Sequence, residues 1–403
     1  MVPNGWSVFP LDQVSKIIDC KHRTPKYVKE GIPLVSPGTI KWGPIDLDSP
    51  TKRVTNEEYT SLMDHCSVDI GDLVLSRNQS VGIASYVDKS EPFVLGQDTV
   101  LVKPNGCDAS YLFYNLQSVN TQRTVFKLAG GSTFSRINLG EIRKLRSIYP
   151  PLPEQRKIAQ ILSTWDRGIA ITEKLIDASK QQKKALMQQL LTGKKRLVNP
   201  ETGKAFEGEW EELRLGELGK IVSGGTPSTS APECWDGDID WATPTDITKL
   251  RTRKIRDTAR KITALGLSTS SAKLVPAGTL LVCTRATIGA LAISQQQMCT
   301  NQGFKNLIPN KNVDVDFLYY LVSYGKHKLV SKASGSTFLE LSKKDFEHIR
   351  FKIPKVDEQQ KIASVLTAAD KEIELLNAKL THLKQEKKAL MQQLLTGKCR
   401  VKV

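Results

Sequence analysis

Two long segments of the chain place apolar residues at alternating spacings of four and three. The second segment has its seam at Ile362, Leu366, Ala369, Ile373, Leu376, Leu380, Leu383, Lys387, Leu390 and Leu394, of which only Lys387 is charged. The first keeps the same frame at Ile158, Leu162, Trp165, Ile169, Ile176, Leu186 and Leu190, with polar Thr172, Ser179 and Lys183 between them. This spacing is typical of a coiled coil and predicts two helices of about 39 residues, roughly 58 Å long.

Proline and glycine mark the ends of both predicted helices. Pro153 and Pro354 lie near the starts, where a missing N–H costs little, and Gly193 and Gly397 follow Leu-Leu-Thr at the C-cap. Two separate surface helices are the alternative interpretation. Because both apolar stripes need a partner, pairing of the two helices with each other is the simpler prediction.

The chain also contains an internal repeat with an offset of 204 residues. Residues 131–197 and 335–401 share 29 identities in 67 ungapped positions, including KKALMQQLLTGK in the tails and GSTF at 131–134 and 335–338. Trp6 and Trp210 keep the offset, while weaker matches align Arg77 with Arg285. Each half therefore consists of one variable globular domain followed by one nearly constant helical tail.

The variable domains are rich in short apolar runs cut by Gly, Pro, Asn and Asp, which indicates mixed strands and helices. The predicted fold class is α+β, with two pseudo-symmetric globular recognition domains separated by a long antiparallel two-helix coiled coil. The predicted boundaries are 1–150 for the first domain, 151–195 for the first helical region, 196–209 for a linker, 210–354 for the second domain and 355–400 for the second helical region.

Net charge adds a function class to this architecture. The chain carries 58 Lys and Arg against 42 Asp and Glu, a formal charge of +16, which favours a polyanionic partner such as nucleic acid. No stretch approaches the roughly 20 apolar residues of a spanning helix, and the N-terminus lacks an apolar signal core. We therefore expect a cytoplasmic protein with no membrane partner. A stiff spacer between two basic domains suits a duplex site in two parts, because half-sites on one face of DNA recur at about 34 Å.

Two polar loops that follow apolar strands are candidates for base contact, because Arg, Asn and Gln make bidentate hydrogen bonds to base edges. Their residues are Arg77, Asn78, Gln79 and Ser80 in the first domain and Arg285 and Thr287 in the second. Two basic clusters are candidates for phosphate contact. They contain Lys21 and Arg23 in the first domain and Lys249, Arg251, Arg253, Lys254 and Arg256 in the second. A solvated charged face remains the alternative for each.

The motifs of several enzyme classes are missing from the sequence. It has no phosphate-binding Gly-x-x-x-x-Gly-Lys-Ser/Thr loop, no His-Glu-x-x-His, no Gly-x-Ser-x-Gly and no amino-methyltransferase signature. Its seven cysteines never occur as Cys-x-x-Cys, so no metal site is predicted. We expect no catalytic residue on this chain, and any catalysis would come from partners.

The arrangement resembles the specificity (S) subunits of type I restriction–modification systems over the full chain. The resemblance is carried by Pro-x-x-Glu-Gln-x-Lys-Ile-Ala at 151–159, its counterpart Pro354–Ala363 and the repeated Leu-Leu-Thr-Gly-Lys tail ends. It implies that each globular domain reads one half of a bipartite, asymmetric double-stranded DNA site. It also implies two methyltransferase (M) subunits that use S-adenosylmethionine, and restriction (R) subunits that use ATP and Mg, with no cofactor on this chain.

Two copies of one partner need two copies of one docking surface, and the repeated tails provide them. The candidate docking residues are Leu186, Met187, Leu190, Leu191, Leu390, Met391, Leu394 and Leu395. Met187 and Leu191 are turned by about 100° from the seam, which favours a second apolar contact beyond the coiled coil. A scaffold or anti-restriction protein that holds partners without reading sequence is the alternative function. A self-sufficient restriction enzyme is disfavoured because the motifs it needs are missing.

Overall fold

The structure, a computed structural model, describes residues 2–129, 135–334 and 339–402. Its contacts divide the chain into unit 1, Met1–Glu173 with Ala378–Val403, and unit 2, Lys174–Asn377. Each unit thus combines one globular domain with segments of both long helices. Both GSTF repeats, at 131–134 and 335–338, lie outside the described residues.

The globular domain of unit 1 is built on three small sheets. The central sheet has five strands, in spatial order Ser15–Asp19, Thr99–Pro104, Leu73–Ser76, Ala84–Tyr86 and Gly43–Pro44. A second sheet orders Arg53–Val54, Ile32–Val35 and Val94–Leu95, and Ser7–Pro10 pairs with Arg146–Tyr149. The helices of this domain are Leu11–Val14, Asn56–Met63, Ala109–Gln117, Val119–Leu128 and Leu139–Arg143, with a 3-10 turn at Pro37–Thr39.

Unit 2 repeats this topology strand for strand. Its five-stranded sheet orders Gly219–Ser223, Phe304–Pro309, Leu280–Cys283, Leu291–Ser294 and Lys254–Ile255. The three-stranded sheet orders Lys261–Ile262, Trp235–Ala242 and Cys299–Thr300, and Glu211–Arg214 pairs with Arg350–Ile353. The helices are Leu215–Leu218, Pro244–Thr248, Ala264–Ser268, Val315–Tyr324, Lys326–Lys332 and Lys343–His348, with a 3-10 turn at Pro232–Cys234. The prediction of an α+β fold with two pseudo-symmetric domains is confirmed.

Both predicted long helices are present at the predicted length. The first long helix is Leu152–Leu190 and the second is Val356–Leu394, each of 39 residues. Gly193 and Gly397 adopt φ of +70° and +67°, the left-handed conformation of a helix C-cap. Every predicted seam position on both helices is buried or half-buried, so the heptad pattern identified the packed face correctly.

Within each unit the two helix segments run antiparallel. In unit 1 Asp166 Oδ1 lies 2.5 Å from Lys387 Nζ, while Glu173, further along the first helix, lies 2.7 Å from Lys384, which is earlier on the second. In unit 2 Ser179 bonds Glu372 at 3.4 Å, and Lys183 Nζ lies 2.5 Å from Asp370 Oδ1. The antiparallel pairing predicted from the repeat is confirmed inside both units.

The lysines that interrupt the apolar seam are part of a repeated triad. In unit 1 the Asp166 carboxylate accepts hydrogen bonds from Lys387 and from the Tyr114 hydroxyl, the latter at 2.7 Å. In unit 2 Asp370 accepts from Lys183 and, at 2.5 Å, from Tyr320. Burial, and then the neighbouring carboxylate, raises the pKa of both tyrosines well above their ordinary range, so both hydroxyls remain donors. Each triad joins a globular domain to both long helices.

The glutamate of the repeated motif also has a structural role in each unit. Glu154 forms a two-pronged ion pair with Arg400, and Glu358 forms the equivalent pair with Arg196, with both bonds at 2.6–2.7 Å. The linker predicted at 196–209 therefore begins with an anchored residue, and it contains a short hairpin closed by a Val198–Ala205 bridge. These contacts explain why the same residues occur in both tails.

Candidate functional site

The loop after the buried strand Leu73–Ser76 carries the unit 1 candidates for base contact. Gln79 is exposed at its tip with φ of +58°, and a non-glycine residue in this conformation is uncommon and often functional. Ser80 Oγ donates to the Pro37 carbonyl at 2.7 Å, which ties the loop to the neighbouring 3-10 turn. The loop therefore presents the Gln79 amide on a fixed backbone.

Arg77 is not available to DNA, which corrects its prediction as a base reader. It is only 5% exposed, and its Nη1 donates to both carboxylate oxygens of Asp19 at 3.0 and 3.1 Å. Its Nε donates to the Ile137 carbonyl at 3.3 Å. A buried guanidinium with these partners holds the loop onto the strand Ser15–Asp19 and cannot reach a groove.

The equivalent loop of unit 2 is exposed at Arg285, Ala286 and Thr287, and Ala286 has φ of +59°, like Gln79. Backbone bonds fix the equivalence, since Arg77 N donates to Asp98 O and Thr284 N donates to Gly303 O, both at 2.8 Å. Arg285 thus corresponds to Asn78, and the alignment of Arg77 with Arg285 was wrong by one residue.

The two loops share a backbone conformation but carry different charges. In unit 1 the backbones of Asn78 and Arg136 form an antiparallel β-bridge, and the Arg136 guanidinium lies 2.6 Å from the Asp98 carboxylate. In unit 2 the backbones of Arg285 and Glu340 form the equivalent β-bridge, and Arg285 Nε lies 3.3 Å from the Glu340 carboxylate. Arg136 and Glu340 were not among the predicted residues, although the 204-residue offset aligns them.

One exposed glutamine completes each surface, and neither was among the predicted residues. Gln97 Nε2 donates to Thr24 Oγ1 at 3.3 Å, whereas in unit 2 the Thr226 hydroxyl donates to Gln302 Oε1. The signal for them was the Thr-Pro pair that recurs at 24–25 and 226–227. Glutamine amides of this kind are suited to adenine edges.

The basic cluster of unit 1 is largely neutralised by acidic residues in the helix Asn56–Met63 and at its C-cap. Lys21 Nζ lies 2.7 Å from the carboxylate of Asp64, and Arg23 donates through two nitrogens to Glu58. The Arg23 hydrogen bond lowers the pKa of Glu58 to about 2. Both cations therefore already have an acidic partner.

The basic cluster of unit 2 splits into two groups. Arg253 and Lys254 face Asp316, at 2.7 and 3.8 Å, and Arg253 is mostly buried. Lys249, Arg251 and Arg256 are exposed, and in the described part of the chain none of them has an ionic partner. These three retain free charge for phosphate groups.

One group of potential metal-binding side chains, Asp19, Cys20 and His22, has its ligand atoms within 4.8 Å of one another. Asp19 already accepts both Arg77 bonds and lies 3.1 Å from His22 Nε2. Burial raises the pKa of the Cys20 thiol, which disfavours the thiolate that a metal needs. The group is best explained as the support for Arg77.

The structure corrects half of the predicted docking residues. Leu190 and Leu191 belong to the core of unit 2, and Leu394 and Leu395 to that of unit 1, each at most 4% exposed. Their second apolar contact is the globular domain of their own chain. Leu186, Met187, Leu390 and Met391 are only half-buried.

Among the described residues, no helix combines the length and apolar character that crossing a membrane requires.

Comparison with known proteins gives the family. The model of the type I restriction modification DNA specificity domain matches twice, at residues 3–181 and 207–385.

Two relatives illustrate the likeness. The putative type I restriction enzyme MjaX specificity subunit of Methanocaldococcus jannaschii is 29% identical over 100% of this chain and 95% of its own. The EcoR124I/EcoR124II specificity subunit of Escherichia coli is 30% identical over 54% of this chain and 52% of its own.

Solved structures share the fold. The HsdS subunit of Thermoanaerobacter tengcongensis has a TM-score of 0.53 at 19% identity, covering 99% of this chain and 98% of that one. The S subunit from M. genitalium has a TM-score of 0.61 at 16% identity, covering 98% and 97%. With two matches that together span most of its length, the chain belongs to the type I restriction modification DNA specificity family, as a non-catalytic specificity subunit with two DNA-recognition domains.

Proposed function

We propose that this chain recognises a bipartite, asymmetric DNA sequence, with one half read by each globular domain, and that it scaffolds two M subunits and the R subunits. In this proposal S-adenosylmethionine, ATP and Mg are bound by those partner subunits. The observation that carries it is the contrast between the two units. The Glu–Arg ion pairs and the Asp–Lys–Tyr triads recur in both units, whereas the exposed loops carry Asn78 and Arg136 in unit 1 and Arg285 and Glu340 in unit 2.

Such a contrast fits two readers of unlike sequence on one scaffold. Side chains with the same task in both units, such as the glutamates that pair with Arg400 and Arg196, are the same. Side chains that meet base edges have different tasks if the half-sites differ. A scaffold that ignores sequence would give no reason for different charges at equivalent loop positions.

Mapping of methylated adenines tests the proposal directly. The chain is co-expressed with its M subunit in a host that lacks other adenine methyltransferases, and the genome is sequenced for modified bases. We expect methylation at one gapped motif with two different halves. Methylation without sequence preference would favour the non-reading scaffold instead.

Gln79 and Arg285 are expected to act on separate halves of that motif. Arg285→Ala should cost about 1–3 kcal/mol of discrimination at one half, because the substitution removes a direct hydrogen bond to a base there. Gln79→Ala should do so at the other half, and the backbone tolerates it because Ala286 has the same left-handed φ in unit 2. The measurement is the methylation motif of each variant, and equal weakening on all sequences would identify a phosphate contact.

Salt dependence separates the free cations from the paired ones. DNA binding by the triple variant Lys249→Ala, Arg251→Ala and Arg256→Ala is measured over a range of salt concentrations. The slope of the logarithm of the DNA-binding constant against the logarithm of the salt concentration should fall by about 0.9 for each phosphate that is no longer neutralised. Lys21→Ala with Arg23→Ala is the matched control and should change the slope less, because Asp64 and Glu58 already neutralise these charges. Equal changes in both variants would contradict this assignment.

A further inference from the structure

A cavity of about 600 Å³ in unit 1 lies between the globular domain and the first long helix. Its wall on the side of the domain is aromatic and consists of Trp42, Tyr86, Phe113 and Tyr114. The Phe113 ring packs edge-on against the other three, with ring centroids 5.0–5.9 Å apart. Aromatic rings around one space attract a cation, and the volume suits a small organic group.

In unit 2 the equivalent place is filled by an arginine of the chain itself. The strand register aligns Gly43 of unit 1 with Arg253 of unit 2. The Arg253 guanidinium lies 5.8 Å from the centre of the Tyr320 ring, and its Nε lies 2.7 Å from the Asp316 carboxylate. A Cβ added to Gly43 would meet nothing within 4 Å in the described part of the chain beyond its sequence neighbours. The cavity of unit 1 is therefore the space that a guanidinium occupies in unit 2.

The charges around the cavity differ from those of unit 2 by one cation. Ser110 stands where unit 2 has Asp316, since each lies two residues after the N-cap of its helix. A carboxylate returns to the lining at Glu173, which the 204-residue offset aligns with neutral Asn377. Glu173 pairs with Lys384 at the surface, where such pairs are weak. With the triad aspartate, each place therefore has two carboxylates, but unit 1 has no counterpart of the arginine.

We propose that this cavity binds an alkylguanidinium group from outside the chain, in the way that unit 2 holds Arg253. The planar cation lies near the Tyr114 ring and faces the Asp166 carboxylate, while its alkyl chain contacts Trp42 and Phe113. A free alkylguanidinium compound and an arginine side chain of another protein offer the same chemistry, and the probes below distinguish them.

The cations already present leave room for this group. In unit 2 Asp370 lies 2.5 Å from Lys183 and 3.9 Å from Arg253, so one carboxylate serves both. The triad lysine of unit 1 therefore does not exclude a second cation. Arg167 also lines the cavity, but its side chain is exposed, and unit 2 has exposed Lys371 at the aligned position.

Equilibrium dialysis of the full chain against n-butylguanidinium tests the proposal. We expect one site with a dissociation constant of about 1 mM, and binding of n-butylurea, a neutral molecule of the same shape, that is weaker by about tenfold or more. Ser110→Asp restores the carboxylate that unit 2 has and should tighten binding about tenfold, because hydrogen bonds between charged groups are the stronger ones. Ser110→Asn is the neutral control of equal size and should bind like the unaltered chain.

Unit 2 provides an independent test, because Arg253→Ala empties the equivalent place. This variant should bind two n-butylguanidinium ions, and its thermal stability should rise in their presence but not in n-butylurea. A folded Arg253→Ala variant that still binds one ion would overturn the proposal. The Ser110 variants decide the matter if Arg253→Ala does not fold, since Ser110 is exposed.

Blocked arginine, N-acetyl-arginine methylamide, distinguishes the two sources of the group. Binding as tight as that of n-butylguanidinium supports an arginine side chain of another protein as the occupant, because main chain then continues on both sides of the bound residue. Binding about tenfold weaker supports a free ligand that enters the cavity whole. If neither compound binds to the unaltered chain, if n-butylurea binds equally well, or if Ser110→Asp does not tighten binding, the proposal is wrong.

Discussion

Arg77→Ala is expected to destabilise unit 1 by about 3 kcal/mol without changing which sequence is read. The substitution leaves the mostly buried Asp19 without its two-pronged partner and removes the donor to the Ile137 carbonyl. Breaking one side of such a pair is strongly destabilising, because the Asp19 carboxylate loses its permanent cation and keeps His22 as its side-chain partner. Urea unfolding of the full chain, followed by hydrogen exchange in the strand Leu73–Ser76, measures the effect where it arises.

Arg285→Ala is the matched control for this prediction. Arg285 is close to half exposed and its ion pair with Glu340 is at the surface, so its removal should change the free energy of unfolding by less than about 1 kcal/mol. The two substitutions should therefore have different effects: Arg77→Ala should lower stability, and Arg285→Ala should alter the methylation motif. A folded Arg77→Ala variant with an altered motif would contradict the structural role given to Arg77.

The sequence predicted the long helices well because their information is local and periodic. A heptad seam, a proline near each start and a glycine after each end are sufficient to locate two 39-residue helices. The repeat then supplied the pseudo-symmetry, since 29 identities in 67 positions leave no ambiguity of register. Neither step requires knowledge of what surrounds a side chain.

Burial of polar side chains is the part that the sequence could not supply. Arg77 stands in a polar loop beside Asn78 and Gln79, and nothing local distinguishes its buried side chain from the exposed Gln79. The partner that decides the matter, Asp19, is 58 positions away in sequence. Low similarity between the two domains added a one-residue error, because Thr284, which is equivalent to Arg77, has no charge to reveal the alignment.

The predicted docking leucines show the same limit for apolar side chains, because the sequence does not show which surface they pack against. A leucine turned away from the seam indicates a second apolar contact, and that inference was sound for Leu191 and Leu395. The sequence could not say that the contact is the globular domain of the same chain.

Substitutions in the repeated triads are expected to have the second large effect on stability. The two triads differ in the number of cations that face the aspartate. In unit 2 Arg253 lies 3.9 Å from Asp370 and stacks near the Tyr320 ring, so this carboxylate balances two cations. In unit 1 the residue before the equivalent strand is Trp42, which packs edge-on against Phe113. Asp166 therefore balances Lys387 alone, and its side chain is 38% exposed against 20% for Asp370.

Asp370→Asn is accordingly expected to cost about 3 kcal/mol, and Asp166→Asn about 1 kcal/mol. The first substitution leaves Lys183 without a carboxylate and close to Arg253, which keeps its ion pair with Asp316, in a mostly buried site. The second leaves one lysine that water can partly solvate. Hydrogen exchange in the helices Val315–Tyr324 and Ala109–Gln117 reads the two units separately. Adding Lys183→Met to Asp370→Asn should recover much of the stability, because the facing cation is then removed as well. Equal destabilisation of both units, or no recovery in the double variant, would show that the triads are not what holds each domain to its helices.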